Sequence, residues 1–376
     1  MSLKPEPSLV HWTEDEQQHS AMWRSEAGTA PPKRIQLADD RLTADAAYRL
    51  TSEGASFLWR GDYHNARQLL QALARRCERK PRKGAANLTE AFHFQRQAQA
   101  HRAHILNSIL LPCDEHYQVP LRRAPDVRDA CFEAWGESPV ASVVSLRELQ
   151  GLIGAHEWRK KGVEVAAVGG RIYPHYGVFS PIRGEYLELV ANAPLPGKGL
   201  AFDIGTGTGV LAAILARRGM QRVIGTDCEA RALRCASDNV RQLELEQRVD
   251  VVQADLFPPG RASLIVCNPP WLPGKAHSPL EHAVYDPDSR MLRGYLAGLT
   301  EHLEQKGEGW LILSDLAEHL GLRSRSELLG WIAAAGLEVA GKSDIKPHHP
   351  RAADPSDPLH VARTAETTSL WRLTAR

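Results

Sequence analysis

Two short segments hold most of the chemistry in this sequence. Asp203-Ile204-Gly205-Thr206-Gly207-Thr208-Gly209 follows an apolar run and leads into Val210-Leu211-Ala212-Ala213-Ile214-Leu215-Ala216. This order predicts a strand, a tight glycine turn and a helix, the cradle that α/β sheets offer to a nucleotide-like ligand. The turn alone is weak evidence, because Gly207 to Ala212 also satisfies a dinucleotide pattern with alanine in its last place. Asp203 separates the readings: a carboxylate just ahead of the first glycine repels a pyrophosphate but can hold an ammonium group. Asn268-Pro269-Pro270-Trp271 ends a second apolar run, Ser263 to Cys267, and so sits at the carboxyl end of a later strand. Open α/β sheets bind ligands beyond those ends. The two prolines lack amide donors and fix the backbone. The Asn268 side-chain oxygen and the Pro269 carbonyl are then two acceptors for the two hydrogens of a planar nitrogen. Trp271 offers a flat face on which an amide or a base can stack.

The pair of segments resembles the class I S-adenosylmethionine-dependent methyltransferases, in the branch that methylates planar nitrogens. The resemblance implies a donor cradle of Asp203, Gly205, Thr206, Gly207 and Gly209, with Asp203 on the ammonium of the donor's methionine half. Gln221 to Asp227 reads as the second strand and ends in an acid 22 positions after Gly205. An acid at that distance is placed to hold a ribose diol by two hydrogen bonds. Arg248 to Asp255 reads as the third strand. In the resembled family the acid at Asp255 accepts from the adenine amino group, and the next residues, Leu256 and Phe257, flank the ring. Asn268 borders donor and acceptor alike, and with Pro269 and Trp271 it makes the catalytic segment. A sulfonium methyl is already electrophilic, so no metal is expected. The enzyme must hold a nitrogen lone pair in line at near-attack distance.

The elements that position these residues read as an α/β fold, and the resemblance implies a Rossmann-like seven-stranded class I methyltransferase domain over residues 191–376. Gly309 to Asp315 reads as a fifth strand, Ser324 to Ala335 as a helix, and Leu337 to Ile345 with Thr367 to Leu373 as a closing antiparallel pair. Residues 161–190 read as a linking β-hairpin, with a turn at Gly169-Gly170, and a proline-flanked loop. Residues 41–160 read as a mainly helical amino-terminal domain. Ala66, Leu69, Leu70, Leu73, Ala74 and Cys77 recur at helical spacing, and a second helix is expected from Leu88 to Leu111. Residues 1–40, polar and proline-bearing, read as a loosely ordered segment. Helical domain, hairpin, loop and catalytic domain follow one another as in the release-factor glutamine methyltransferases. Gly177-Val178-Phe179-Ser180 is similar to the entry of the ribosomal-RNA guanine N2 methyltransferases. Trp271 departs from both, which carry tyrosine or phenylalanine there. The resemblance covers residues 163–316.

Composition excludes several classes. The formal charge of +1 over 376 residues gives no net drive toward polyanions. No run approaches the roughly 18 apolar residues of a membrane span, and the first residues lack the apolar core of a secretion signal. The six cysteines show no metal spacing or disulfide framework, as expected of a cytoplasmic protein. Charge is nevertheless local: Arg60 to His104 holds ten Lys or Arg against three acids. Arg67, Arg75 and Arg79 share one helical face there, which a macromolecular substrate, protein or RNA, can engage. The acceptor is left open between a protein glutamine amide and an exocyclic RNA base amine. A small-molecule N-methyltransferase and a silent donor-binding protein are the alternatives.

Overall fold

The computed structural model describes residues 8–78, 84–138, 140–181, 184–276, 279–347 and 354–376. The chain divides into two compact units, residues 1–84 with 93–157, and residues 85–92 with 158–376.

The first unit is built on a six-stranded mixed sheet. Its elements are β1 (Leu9–Glu14), β2 (Gln17–Arg24), β3 (Arg34–Ala38), α1 (Ala44–Ser52), β4 (Ala55–Trp59), α2 (Tyr63–Glu78), α3 (Leu88–Leu106), β5 (Ile109–Cys113), α4 (Arg128–Trp135), β6 (Ser142–Ser145) and α5 (Leu146–Lys161). The strand order is β1-β2-β6-β5-β4-β3. Helices do fill more of residues 41–160 than strands, but the sheet on which they are built was not expected from the sequence. β4, β5 and β6 are short runs, almost wholly buried, so they show none of the alternation that marks a half-exposed strand. The expected second helix accordingly stops at Leu106, and Ile109 and Leu110 belong to β5. The amphipathic face of α2 is as expected at Ala66, Leu69, Leu70 and Leu73, all buried.

Residues 8–40 are not loosely ordered. β1 and β2 pair antiparallel through Asp15-Glu16, both in the left-handed region at φ 48° and 61°. That is the backbone of a tight hairpin turn, made without the Asn-Gly signature that would reveal it. Val10 and Ala21 are buried and Trp12 and Trp23 pack beside them against Leu58, Leu110 and Val143.

The second unit opens with the hairpin, β7 (Val163–Val165) and β8 (Gly170–Ile172), antiparallel. Its turn is a short 3-10 segment, Ala166–Val168, closed by left-handed Gly169, with Gly170 already in the strand. Then come α6 (Glu185–Asn192), β9 (Leu200–Ile204), α7 (Val210–Arg217), β10 (Arg222–Asp227), α8 (Ala230–Gln242), β11 (Val249–Gln253), β12 (Ala262–Cys267), α9 (Arg290–His302), β13 (Leu303–Ser314), α10 (Leu316–His319), α11 (Arg325–Ala334), β14 (Leu337–Ile345), α12 (His360–Ala365) and β15 (Thr368–Ala375). Seven strands lie in the order β11-β10-β9-β12-β13-β15-β14. β15 runs antiparallel to both neighbours and the other recorded pairings are parallel. Consecutive residues of the central strands feed opposite faces. Ala201, Leu264, Val266, Trp310 and Ile312 join the core with α6 and α7. Phe202, Ile265, Cys267, Leu311 and Leu313 join the core with α9 and α11. Burial on both faces explains why these strands read as unbroken apolar runs. α11 starts with a capping box, in which Ser324 and Glu327 satisfy each other's backbone amides.

Candidate active site

β9 and β12 are adjacent parallel strands at the centre of the sheet, with Ile204 opposite Cys267. The glycine turn and the Asn268 segment therefore leave the same edge side by side. Burial of Val210 through Ala216 all round fixes α7 against the sheet.

Asp203, 1% exposed, organises the turn. Its Oδ2 accepts from the Thr206 hydroxyl at 2.6 Å and from the Ala212 amide at 3.0 Å. Its Oδ1 is buried without a partner among the described residues. Burial pushes this carboxyl up to about 6, against the opposing pull of the Thr206 and Ala212 bonds. At neutral pH it is therefore a buried anion with one oxygen unsatisfied. Gly209 requires glycine twice over. Its φ is 80°, and a Cβ would stand 3.3 Å from the Ala236 backbone of α8.

Asp227 ends β10, and burial raises its carboxyl above the ordinary value. It accepts the Gly207 amide at 3.1 Å and the Glu229 amide at 3.0 Å, which ties the second strand's acid to the first strand's turn. Asp255 lies beyond β11, exposed, with Oδ2 2.7 Å from Arg290 at the head of α9. Leu256 is held in the left-handed region at φ 78°, where a leucine is strained. The Thr226 hydroxyl, buried in β10, donates to the Leu256 carbonyl at 2.6 Å and pins that geometry.

Asn268 follows β12 directly. Its side-chain oxygen accepts the Trp271 indole N–H at 2.9 Å. Trp271 is packed against both core clusters, so its ring stiffens the segment as well as offering a face. Beyond it, Leu272 accepts from the Asp286 amide at 2.8 Å and donates to the Val284 carbonyl at 3.0 Å. Residues 284–286 thus fold back onto the exit of the Asn268 segment. Asp286, 5% exposed, caps α9 through the amides of Met291 and Leu292.

Three of these contacts escaped the sequence reading. In the sequence Thr226 looks like an ordinary strand-end residue and Asp286 like a loop acid. Asn239 lies in α8, yet it is 1% exposed and bridges two loops. Its oxygen accepts the Tyr173 amide at 2.7 Å, and its nitrogen donates to the Thr208 carbonyl at 3.0 Å. An asparagine in the last turn of an otherwise amphipathic helix was the only signal.

Residues 171–319 match the family of the methyltransferase small domain. The donor of such a domain is S-adenosylmethionine, and the residues present fit it: the orphan Oδ1 of Asp203 suits the donor's ammonium. Curated relatives are methyltransferases. The ribosomal protein L11 methyltransferase of Pelotomaculum thermopropionicum is 40% identical over 84 residues, 22% of this chain and 27% of that protein. The release factor glutamine methyltransferase of Mycolicibacterium smegmatis is 37% identical over 125 residues, 31% of this chain and 44% of that protein. The ribosomal RNA small subunit methyltransferase C of Alcanivorax borkumensis is 38% identical over 118 residues, 29% and 34% respectively. The chain thus spans less than half the length of each of these three relatives. Among the described residues no helix is long and apolar enough to cross a membrane.

Proposed function

We propose that this protein is an S-adenosylmethionine-dependent N-methyltransferase acting in the cytoplasm on a planar nitrogen of a macromolecule. The acceptor is a protein glutamine amide or an exocyclic RNA base amine. The observation that carries the reading is Asn268-Pro269-Pro270-Trp271 at the carboxyl end of β12, beside the Asp203 turn of β9.

When bound, the donor supplies an electrophilic methyl on a sulfonium. Asp203 Oδ1 would take its ammonium, Asp227 its ribose hydroxyls, Gly205, Thr206, Gly207 and Gly209 its backbone-facing side, and Asp255 with Leu256 its adenine. Asn268 Oδ1 has two lone pairs, and the indole uses one. The second accepts one hydrogen of the incoming nitrogen while the Pro269 carbonyl accepts the other. With the nitrogen so held, its lone pair would take the methyl as the donor's carbon–sulfur bond breaks, leaving S-adenosylhomocysteine, and the extra proton would pass to water. Such orientation can lower the barrier by up to roughly 7–11 kcal/mol. The basic face of α2, with Arg67 and Arg75, engages the macromolecule; Arg79 lies outside the described residues.

The test is tritiated methyl transfer from the donor into lysate of a deletion strain, fractionated into RNA, protein and small molecules. Label in RNA or in protein glutamine supports the proposal. Label confined to small molecules, or none at all, overturns it.

A further inference from the structure

The first unit contains a polar groove of about 380 Å³ that the methyl-transfer site does not use, lined by His64, Arg67, Gln68, Gln71 and Arg123. Its volume lies in the range of about 300–1,000 Å³ common to ligand sites. Two guanidiniums, two amides and an imidazole form the wall, with no carboxylate and no apolar side chain. α2 explains four of the five. Its buried residues, Ala66, Leu69, Leu70 and Leu73, face the core and leave residues 64, 67, 68 and 71 together on the opposite face. Neighbouring cations are neutralised: Arg76 pairs with Asp45 at 2.6 Å and Arg102 with Glu78 at 2.8 Å. Arg67 has no such ion pair among the described residues.

Arg123 is put there by a different device. Its φ is 58°, a left-handed conformation that costs a non-glycine residue about 1–2 kcal/mol. Asp62, its side chain 4% exposed, accepts the Arg123 Nε at 2.7 Å and lies 3.4 Å from Arg122. The other Asp62 oxygen accepts the His64 amide at 2.9 Å. One buried carboxylate therefore fixes the first turn of α2 and the strained arginine that faces it. A second groove of about 320 Å³ shares Arg123 as a wall and includes Gln118 and Arg128, the latter paired with Asp126.

We propose that this groove binds the sugar-phosphate backbone of RNA. Guanidinium forks match phosphate oxygens. The Gln68 and Gln71 amides can serve phosphates and 2′-hydroxyls alike. The wall holds no Phe, Tyr or Trp as a broad stacking platform, so charge and hydrogen bonding to the backbone dominate and the contact depends little on sequence. The absence of apolar side chains leaves nothing to seat the residues of an acidic peptide. The inference deepens the proposed function by choosing RNA as the acceptor class, but binding is read without any methyl transfer.

The experiment is fluorescence anisotropy of the full-length protein with a labelled RNA hairpin of arbitrary sequence, titrated between about 50 and 200 mM salt. Wild type should bind more weakly as salt rises. Arg67→Gln and Arg123→Gln should each flatten the slope of log affinity against log salt by about one. Calorimetry with S-adenosylhomocysteine on the same variants should show unchanged affinity, which reports an intact second unit and tests the donor site separately. Circular dichroism of both variants controls for folding; Arg67→Gln, on an exposed helix face, decides if Arg123→Gln is unfolded. No hairpin binding at low salt, an unchanged slope in folded Arg67→Gln, or equal competition by polyglutamate would overturn the proposal.

Discussion

The indole N–H of Trp271 donates to the side-chain oxygen of Asn268 at 2.9 Å. An indole can only donate, so this bond fixes which end of the amide faces the tryptophan. It also means that the residue at position 271 acts on Asn268 through a hydrogen bond that phenylalanine cannot make.

Trp271→Phe should therefore cost more than the loss of stacking area alone. One neutral hydrogen bond is worth about 1 kcal/mol, or about a fivefold fall in kcat. Asn268→Ala should lower kcat by about 100-fold, as removal of a group oriented on the developing charge does elsewhere. In the Asn268→Ala background, Trp271→Phe should have little further effect, because the bond it breaks is already gone. Steady-state methyl transfer on the four proteins measures this. Independent, additive losses would show that Trp271 does not work through Asn268.

Asp203 makes a pH prediction. Its folded-state carboxyl titrates at about 6, above the ordinary 3.8, because it is buried. The unfolded chain thus ionises first, and the fold loses stability as pH rises from about 4 to about 6, with the loss complete above that. Asp227 and Asp286 are raised too and share the sign, so the comparison must be with Asp203→Asn. Urea midpoints across this window should fall more steeply for wild type than for the variant. Donor affinity should also fall as the pH drops through about 6, since a neutral carboxyl cannot hold the ammonium. Parallel midpoint curves would remove Asp203 from the account.

Asp227→Ala should weaken donor binding at least tenfold. Hydrogen bonds to a charged group are worth roughly 1.5–3 kcal/mol, and each 1.4 kcal/mol is a factor of about ten. The Gly207 and Glu229 amides lose their acceptor as well. Asp227→Asn keeps an acceptor oxygen and should fall between. Calorimetric affinities for S-adenosylhomocysteine decide it, and equal affinity in all three proteins places the ribose elsewhere.

Gly209→Ala should destabilise more than Gly169→Ala. Both glycines are left-handed, at φ 80° and 65°, but an added Cβ meets the Ala236 backbone at 3.3 Å only at Gly209. Torsional strain alone is about 1–2 kcal/mol, so urea unfolding should show about that at Gly169 and a larger loss at Gly209. Equal losses would mean that α8 gives way without penalty.

Local chemistry made much of the second unit legible in the sequence. Gly205, Gly207 and Gly209 encode a backbone path, Asp203 and Asp227 sit at fixed distances from it, and Asn268 follows an apolar strand directly. Each of these signals is contained in a few neighbouring residues. The first unit was misread because its strands are short and buried on both faces, which erases alternation, while α2 advertises its helix plainly. The turn at Asp15-Glu16 carries no glycine or asparagine to betray it. What only the tertiary structure decided are contacts between residues far apart in the chain. Asn239 bridges Tyr173 and Thr208, Thr226 pins the strained Leu256, and buried Asp62 draws Arg123 onto the face of α2. Polar partners of this kind are chosen by which loops the packed sheet brings together, and no periodicity in the sequence records that choice.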